Sequence, residues 1–188
     1  MLIGRWPLTI KMEDLSLHIL DIAENSINAG AKNIEIAIIE ISAKDLLTVE
    51  IKDDGKGMDA QTLQMVKDPF YTTRTTRKIG LGLSMLEEAA QATGGKLIIE
   101  SELNKGTKVF AEFQLSHIDR KPIGNIADTL VTLASTSTEA NIRYTEDKNG
   151  TRFIFDTRDI KSNYPEMKHQ SAEVLSFIKK YIIENTLF

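Results

Sequence analysis

Acidic, amide and glycine residues cluster in four short segments of this sequence, and such residues can hold charged ligands. In chain order the segments are Asp21–Asn25, Asp53–Gly57, Asp68–Thr73 and Gly80–Leu83. Each segment alone is a weak signal, because a lone Asp-x-Gly-x-Gly is typical of a tight turn and a lone Gly-x-Gly-Leu of a helix start. Their order and spacing together indicate one composite binding site.

The first segment belongs to a polar stripe on a predicted helix, formed by His18, Asp21, Asn25 and Asn28. Asn25 offers a neutral amide oxygen, and Mg²⁺ binds oxygen ligands while it keeps several of its waters. The carboxylate of Asp21 could act as a general base for water, as an outer partner of a metal ion, or as a plain surface acid. For His18, one turn earlier, a packing or surface role is favoured.

The second segment follows a predicted strand that ends at Asp53. A buried carboxylate there could accept a hydrogen bond from the exocyclic amine of adenine, whereas guanine presents a carbonyl at the same edge. The alternative is that Asp53 only stabilises a turn in its own backbone. Gly55 and Gly57 would let the backbone approach a base closely.

The fourth segment places Gly80 and Gly82 at the start of a predicted helix. A glycine loop that leads into a helix presents free N–H groups and the positive end of the helix dipole, so it favours phosphate. Lys78, Arg77 and Arg74 could add positive charge around a polyphosphate, or they could form a solvated basic loop. The sequence thus contains a base-binding end and a phosphate-binding end.

Hydrophobic periodicity predicts an α+β chain that positions these segments. We expect helices over residues 12–29, 59–66, 81–92, 123–133 and 165–183, and strands over 33–41, 46–51, 96–101, 107–115, 142–145 and 152–156. Glu13 and Asp14 are expected in the first turn of the first helix, and Gly30 just past its end. Residues 67–80, with two Thr-Thr-Arg repeats and few apolar side chains, predict a mobile loop.

Composition narrows the functional classes. The chain has 188 residues and 3 histidines. It has no cysteine, and this excludes a disulfide scaffold, a thiolate metal site and a cysteine nucleophile. The formal net charge of -4 at pH 7 disfavours nucleic-acid binding. No apolar stretch is long enough for a membrane span or a signal peptide, so we expect a cytoplasmic protein without membrane contact.

In this order, the four segments resemble the N, G1, F and G2 boxes of the GHKL superfamily. Its nucleotide-binding unit is shared by sensor histidine kinases, DNA gyrase, MutL and a heat-shock chaperone. Residues 94–101 and 105–107 look like the closing strands of a histidine-kinase catalytic domain, while residues 24–31 are most similar to MutL. The resemblance covers about residues 12–115, and it is more specific for ATP binding than for the fate of the ATP.

The resemblance implies a two-layer α/β sandwich of the histidine-kinase-like ATPase (Bergerat) type over residues 1–118. Residues 119–188 would form a small α+β appendage for partner recognition or dimerisation. ATP and Mg²⁺ are the implied cofactors, with Asn25 as metal ligand and Asp21 as catalytic residue. The implied nucleotide-binding residues are Asn25, Asn28, Asp53, Gly55, Gly57, Met58, Phe70, Arg77, Lys78, Gly80, Leu81, Gly82, Leu83 and Thr107.

The chain departs from the family pattern at two positions. Members that hydrolyse ATP carry a Glu four residues before the Asn, where this chain has Asp21, whose carboxylate reaches one methylene less. Kinases have a glycine where Lys78 stands, which would make this loop stiffer and more basic. Sensor kinases also carry a helical hairpin with an acceptor His. We expect none here, so a phospho-acceptor would lie on another chain, as for anti-sigma-factor kinases.

These features lead to three hypotheses. The first is an Mg²⁺-dependent regulatory protein that transfers the γ-phosphate of ATP to a partner protein or slowly hydrolyses ATP. The second is an ATP-sensing module that changes its affinity for a partner protein with little turnover. The third, a MutL-like DNA-repair component, rests on residues 24–31 and is disfavoured by the charge and the short tail. A homodimer is compatible with the first two hypotheses.

Overall fold

A computed structural model of the chain describes residues 13–66, 81–137, 139–163 and 170–188. Its helices are α1 (Leu15–Asn28), α2 (Ala60–Val66), α3 (Leu81–Gln91), α4 (Ile126–Thr136), α5 (Thr157–Asn163) and α6 (Ala172–Asn185). Its strands are β1 (Asn33–Ile41), β2 (Leu46–Asp53), β3 (Lys96–Glu102), β4 (Gly106–Gln114), β5 (Asn141–Lys148) and β6 (Thr151–Asp156). None of these described helices combines the length and the hydrophobicity needed to cross a membrane.

The described strands form one mixed sheet in the order β3-β4-β2-β1-β5-β6. Neighbouring strands are antiparallel except β1 and β5, which run parallel. Every second residue of a strand faces the helices, and in β1 these residues are the buried Ile34, Ile36 and Ile38. They share one hydrophobic core with Leu15 and Ile19 of α1. The helices therefore form a single layer on one face of the sheet.

The opposite face of the sheet is lined mainly by charged and polar side chains. Lys108 of β4 lies 3.0 Å from Glu50 of β2, and Lys96 of β3 lies 3.2 Å from Glu112 of β4. Exposed pairs of this kind contribute about 0–1 kcal/mol each, so the fold depends on the core between helices and sheet. The predicted α+β class and two-layer sandwich are confirmed.

The residues after position 118 extend this same sheet. β5 pairs with β1 in parallel, for example Ile142 beside Ile34, and β6 returns antiparallel to β5. α4 packs against both α1 and α6. The N-terminal and C-terminal regions therefore share one sheet and one core, while the division of the chain into 1–118 and 119–188 stays a prediction.

The ends of α1 follow from its capping residues. Asp14 precedes the helix, and its Oδ1 accepts a hydrogen bond from the N–H of Leu17 at 3.1 Å. The prediction that Asp14 lies inside the first turn was wrong, because its side chain serves better as the N-cap. Gly30 has a φ of 79° just past the end of the helix, as predicted.

α4 begins at Ile126, three residues later than predicted. Gly124 has a φ of 84°, which a right-handed helix does not allow. Asn125 then caps the helix by accepting a hydrogen bond from the N–H of Asp128 at 3.0 Å. The apolar pattern predicted a start that is too early, because it contains no information about the backbone angle of Gly124 or the capping by Asn125.

The region after β6 differs from its prediction. α5 was not predicted, because a polar helix of 7 residues has no long apolar period. α6 begins at Ala172, where the side chain of Ser171 caps the helix. Residues 164–169, which include the first part of the predicted final helix, lie outside the described residues.

Candidate functional site

Asp53 lies at the end of β2, and its carboxylate is buried. Ser26 of α1 donates its hydroxyl to Oδ2 at 2.7 Å. The N–H groups of Gly55 and Thr107 donate to Oδ1 at 2.9 and 3.3 Å. These donors, which come from three parts of the chain, fix the orientation of the carboxylate. Because each carboxylate oxygen can accept more than one hydrogen bond, a ligand amine can still bind there.

Gly55 leaves the space beside this carboxylate open. A Cβ atom at position 55 would lie 3.0 Å from Oδ1 of Asp53 and 3.1 Å from the Cβ of Ala29. Both contacts are tighter than ordinary van der Waals contact, so a side chain here would push against the carboxylate and the end of α1. The glycine therefore keeps the backbone close to the end of β2.

The glycine loop after β2 is fastened to the hairpin of β3 and β4. The N–H of Met58 donates to Oγ of Ser101 at 2.9 Å, and the same Oγ lies 2.9 Å from the hydroxyl of Thr107. Gly57 has a φ of 60°, and a Cβ there would come within 2.0 Å of the backbone oxygen of Glu102. Only glycine permits this approach, so the loop has a defined position beside the buried carboxylate.

Asp54 anchors the same loop to the start of β1. It accepts hydrogen bonds from the N–H groups of Lys32 and Asn33 at 2.7 and 2.8 Å, and from Nδ2 of Asn33 at 2.8 Å. Burial alone raises the pKa of Asp54, but the hydrogen bonds from Asn33 and Lys32 together outweigh it and lower the pKa below its ordinary value. Asp54 therefore positions the loop, while Asp53 faces the candidate site.

Asp21 and Asn25 lie on successive turns of α1, and Nδ2 of Asn25 donates to Oδ2 of Asp21 at 3.4 Å. Burial raises the pKa of Asp21, and the nearby charge of Glu24 raises it further, while the hydrogen bond from Asn25 lowers it in part. A raised pKa makes the carboxylate of Asp21 a stronger proton acceptor. This is a property expected of a general base.

The first turn of α3 approaches Asp21 very closely. A Cβ atom at Gly82 would lie only 2.0 Å from Oδ2 of Asp21, so no other residue fits at this position without movement. The free N–H groups at a helix N-terminus favour negatively charged ligands. The acid on α1 and the start of α3 therefore lie next to each other, at the place where the sequence predicts the phosphates.

His18 lies one turn before Asp21 and is completely buried. Neither of its ring nitrogens has a hydrogen-bond partner in the part of the chain that the structure describes. Burial lowers the pKa of His18, and the positive charge of Lys121 lowers it further, while the backbone of Gly82 and the charge of Asp14 raise it in part. The imidazole is thus neutral at pH 7. Of the packing and surface roles that the sequence left open, the structure shows packing.

The donor groups of this region limit how a Mg²⁺ ion could be held. Within the described residues, no three His, Cys, Asp or Glu side chains are grouped so that they could hold a metal ion. A single protein oxygen can be sufficient for Mg²⁺, because the ion keeps waters and binds phosphates. Asn25 uses Nδ2 for its bond to Asp21, which leaves its carbonyl oxygen for a cation. These residues therefore fit a Mg²⁺ ion that a nucleotide brings with it.

Comparison with known protein families adds to this geometry. The family model described as "Histidine kinase-, DNA gyrase B-, and HSP90-like ATPase" matches residues 11–117, more than half of the chain. The chain belongs to this ATPase family. The predicted GHKL membership is confirmed, and the matched region is an ATP-binding domain.

Two curated relatives of this ATPase domain are sensor kinases. Sensor kinase CckA of Brucella abortus is 30% identical over 118 residues, which cover 60% of this chain and 12% of the relative. Sensor histidine kinase YvrG of Bacillus subtilis is 30% identical over 94 residues, which cover 48% of this chain and 16% of the relative. The chain therefore spans a minor part of the length of these kinases.

A solved structure supports the fold of the ATPase domain. The crystal structure of the N-terminal domain of a DNA repair protein superposes with a TM-score of 0.51 and 18% identity. It covers 81% of this chain and 58% of its own, so the similarity extends beyond residues 11–117. At this identity the similarity concerns the fold alone.

Within the ATPase domain, the predicted site residues fall into four groups. Those brought together at the end of β2 are Asp53, Gly55, Gly57, Met58 and Thr107. Those brought together between α1 and α3 are Asp21, Asn25 and Gly82. Asn28 is exposed at the end of α1, Leu81 begins α3, and Leu83 packs against the core. Those outside the described residues are Phe70, Arg77, Lys78 and Gly80, together with Arg74. Their roles in ATP binding stay predictions.

Two serines of the ATPase domain support the site but were not predicted to do so. The apolar periodicity of α1 places Ser26 on the core side, yet its hydroxyl holds the carboxylate of Asp53. A polar residue within an otherwise apolar helix face is the signal that could have identified it. Ser101 has no comparable local signal, because its partners Met58 and Thr107 are brought to it only by the fold.

Proposed function

We propose that this chain is a kinase-like regulatory protein that binds ATP with Mg²⁺ and transfers the γ-phosphate to a partner protein or slowly hydrolyses ATP. The observation that carries the proposal is the contact of Asp21 with Asn25 and Gly82. It gathers an acid, an amide suited to Mg²⁺ and the start of α3 around one point. Membership of the ATPase family supports ATP as the ligand.

Asp53 is proposed to bind adenine. Its carboxylate is buried and already oriented by Ser26, Gly55 and Thr107. The exocyclic amine of adenine would donate to it, whereas the carbonyl of guanine would face the same oxygens without a proton to share. A buried acceptor left without a donor is costly, so we expect ATP to be preferred over GTP.

At the phosphate end, Asn25 is proposed to hold Mg²⁺ through its carbonyl oxygen, and a bound ion would neutralise phosphate charge. Asp21 would accept the proton of the attacking water or hydroxyl group. The oxygen of that group would bond to the γ-phosphorus while the bond to the leaving ADP breaks. The raised pKa of Asp21 supports this role, because a base is most effective when its pKa is near the working pH.

A protein acceptor is proposed from the names of the relatives. CckA and YvrG are sensor kinases, and this chain is similar to them over 118 and 94 residues. We propose that the acceptor lies on another polypeptide and that the reaction occurs in the cytoplasm, where ATP is abundant. The net charge of -4 gives no general attraction to nucleic acid, so a protein partner is preferred.

A nucleotide switch is the second candidate function. Asp21 has a shorter side chain than Glu, and its Oδ2 already accepts a hydrogen bond from Asn25. A carboxylate held in this way can fall short of a water beside the γ-phosphate, and a small misplacement of a base costs orders of magnitude in rate. ATP would then act by changing affinity for a partner protein, with little turnover.

The test is a γ-labelled ATP assay with Mg²⁺, in which phosphate release and label on a candidate partner protein are both measured. Asp21→Asn keeps the size of the side chain and removes the base, so we expect the rate to fall by about 100-fold or more. Glu88→Gln changes an exposed acid on α3 and is the matched control. It should change the rate by less than about threefold.

The outcomes separate the candidates. Label on the partner supports a kinase, and phosphate release supports an ATPase. Tight binding of ATP with neither result supports the switch. Turnover that persists in Asp21→Asn contradicts the catalytic role of this acid, and a wild-type chain that does not bind ATP contradicts the whole proposal.

A further inference from the structure

We infer that the chain forms a homodimer in which β6 pairs with β6 of a second copy, antiparallel, across a two-fold axis at Ile154. The inference does not depend on the proposed phosphate chemistry. It rests on the free edge of β6, on the self-complementary order of its residues and on the apolar side chains beside it.

The free edge follows from the hairpin of β5 and β6. Its turn residues, Asn149 and Gly150, have φ angles of 54° and 89°, as a two-residue type I′ turn requires. In such a hairpin the flanking residues, Lys148 and Thr151, form a hydrogen-bonded pair. Hydrogen-bonded and non-hydrogen-bonded pairs then alternate along the two strands.

This alternation turns the backbone groups of Arg152, Ile154 and Asp156 away from β5. The described sheet has no strand beyond β6. None of the three N–H groups donates to a partner in the described ranges of the chain. The outer edge of β6 therefore offers a row of unused donors and acceptors, which is a template for another strand.

These three residues match the same three residues of a second copy. When Ile154 lies opposite Ile154, Arg152 lies opposite Asp156 and Asp156 lies opposite Arg152. All three positions have their backbone groups turned outward, so each pair exchanges both of its N–H···O bonds. A shift of two residues either way would lose a pair to the turn or to α5. The register centred on Ile154 is thus the one that uses the whole edge.

The charges agree with the same register. Within one chain, Arg152 lies 2.9 Å from Asp147 of β5, and Asp156 lies 2.6 Å from Arg158 and 3.7 Å from Arg143 of β5. Across the joined sheets the row would read Asp147, Arg152, Asp156, Arg143, with alternating sign. Opposite charges on facing strands contribute about 0.2–1 kcal/mol per pair, and like charges oppose pairing. The edge is therefore complementary to itself.

Apolar side chains flank the edge. Ile154 is 41% exposed at the centre of the proposed pair. Phe177 and Tyr181 of α6 are stacked with their ring centroids 6.4 Å apart and are 56% and 41% exposed. All three line a groove of about 130 Å³ beside β6. A strand added to β6 would remove part of this apolar surface from water, which is favourable by about 25 cal/mol per Å².

β6 also lacks several of the devices that usually protect an edge strand. Its sequence, Thr151 to Asp156, contains no proline, glycine or lysine, and Phe, Ile and Thr favour strands. Its charged residues, Arg152 and Asp156, have opposite signs, and each would lie opposite the other in a second copy. A second copy is for this reason a better occupant than an unrelated extended peptide.

Introduced cysteines test the geometry, because the chain has none of its own. Ile154→Cys would place two thiols opposite each other at the axis, with a Cα separation of about 5.5 Å that lies within the range of disulfides. Ile98→Cys, at 39% exposure on β3 at the other edge of the sheet, is the matched control. We expect mild oxidation to cross-link most of the first variant and little of the second.

Sedimentation gives an independent readout. The wild-type chain should sediment at twice its mass of 21.0 kDa. Ile154→Pro removes one N–H at the axis that has no use in the single chain, and proline is tolerated on such an edge. This variant should be folded and monomeric. A monomeric wild type, equal cross-linking of the two cysteine variants, or a folded Ile154→Pro that remains dimeric would overturn the inference.

Discussion

At Asp53 a buried carboxylate is surrounded by neutral donors. The hydroxyl of Ser26 and the N–H groups of Gly55 and Thr107 orient its oxygens, and none of these donors carries a positive charge. Its negative charge is therefore available to strengthen a further hydrogen bond from a ligand. The proposed preference for adenine depends on this single group.

Asp53→Asn is expected to weaken ATP binding by about 100-fold while the chain stays folded. The amide keeps the shape of the side chain but replaces one acceptor with an NH₂ group, which cannot accept from the adenine amine. Calorimetric titration with ATP and Mg²⁺ measures the affinity. Asp54→Asn, at the adjacent loop anchor, is the control and should lower the melting temperature without a comparable loss of affinity. Unchanged affinity in Asp53→Asn would remove the basis of the adenine assignment.

His18 makes the stability of the folded chain depend on pH. Its pKa in the folded chain is lowered from 6.5 by burial, whereas the unfolded chain regains the ordinary value. Between these two values the unfolded chain binds the proton and the folded chain does not. The contribution of His18 to stability is therefore complete above pH 6.5 and is lost as the pH falls through the folded pKa.

His18→Leu is expected to flatten this pH dependence and to stabilise the chain by about 1 kcal/mol at neutral pH, because two unpartnered ring nitrogens leave the core. Denaturant unfolding at about pH 5 and about pH 7.5 gives the two free energies of unfolding. A wild-type slope in His18→Leu would show that other groups cause the pH dependence.

At the scale of elements, α1 and α3 define the phosphate end together. α1 presents Asp21 and Asn25 from a rigid helix, and Gly82 in the first turn of α3 lies directly against the carboxylate. Neither helix forms this arrangement alone. The two helices approach this closely because Gly82 has no side chain that would meet Asp21.

Gly82→Ala tests this contact between elements. In an unobstructed helix the change would stabilise by about 1 kcal/mol, because alanine is the better helix former. Here the new Cβ would lie 2.0 Å from Oδ2 of Asp21, so we expect a lower melting temperature and weaker ATP binding. The double variant Gly82→Ala with Asp21→Ala should recover the stability, since the obstructing carboxylate is removed. If the single variant is as stable as the wild type, the two helices are not in this contact.

At the scale of the whole molecule, Glu146 joins the C-terminal segment to the sheet. This completely buried residue of β5 accepts hydrogen bonds from the hydroxyls of Tyr144 and Thr186, and from the N–H of Leu187 at 2.7 Å. Burial raises the pKa of Tyr144, and the Glu146 carboxylate raises it further, so the phenol remains a donor. The residues after α6 are thus hydrogen-bonded to β5 through Glu146.

Glu146→Ala is expected to lower the free energy of unfolding by about 2–3 kcal/mol and to expose residues 186–188 to faster hydrogen exchange. Tyr144→Phe removes one donor and leaves the others in place, so it should cost about 1 kcal/mol. Affinity for ATP should not change in either variant, because the candidate site lies on the far side of β1. Loss of ATP binding in Glu146→Ala would show that the two halves of the sheet are coupled.

Much of the candidate site was accessible from local sequence. The residues of the glycine loop, the acid and amide on α1 and the start of α3 are each marked by a residue type whose chemistry is specific. The burial of His18 and the support from Ser26 were not accessible in this way. Both depend on which side of α1 faces the sheet and on which residues of other elements lie against it. Helical periodicity does not identify those residues.

The sequence by itself determined the class of elements, most of their boundaries and the ATPase family, because these follow from periodicity, caps and motifs that span a few residues each. Only the tertiary structure decided that β5 lies parallel to β1, that Gly82 contacts Asp21 and that β6 is left as an edge. Such contacts join residues far apart in the chain, for example Ile34 and Ile142. Their formation depends on how whole elements pack into one core, which no local segment encodes.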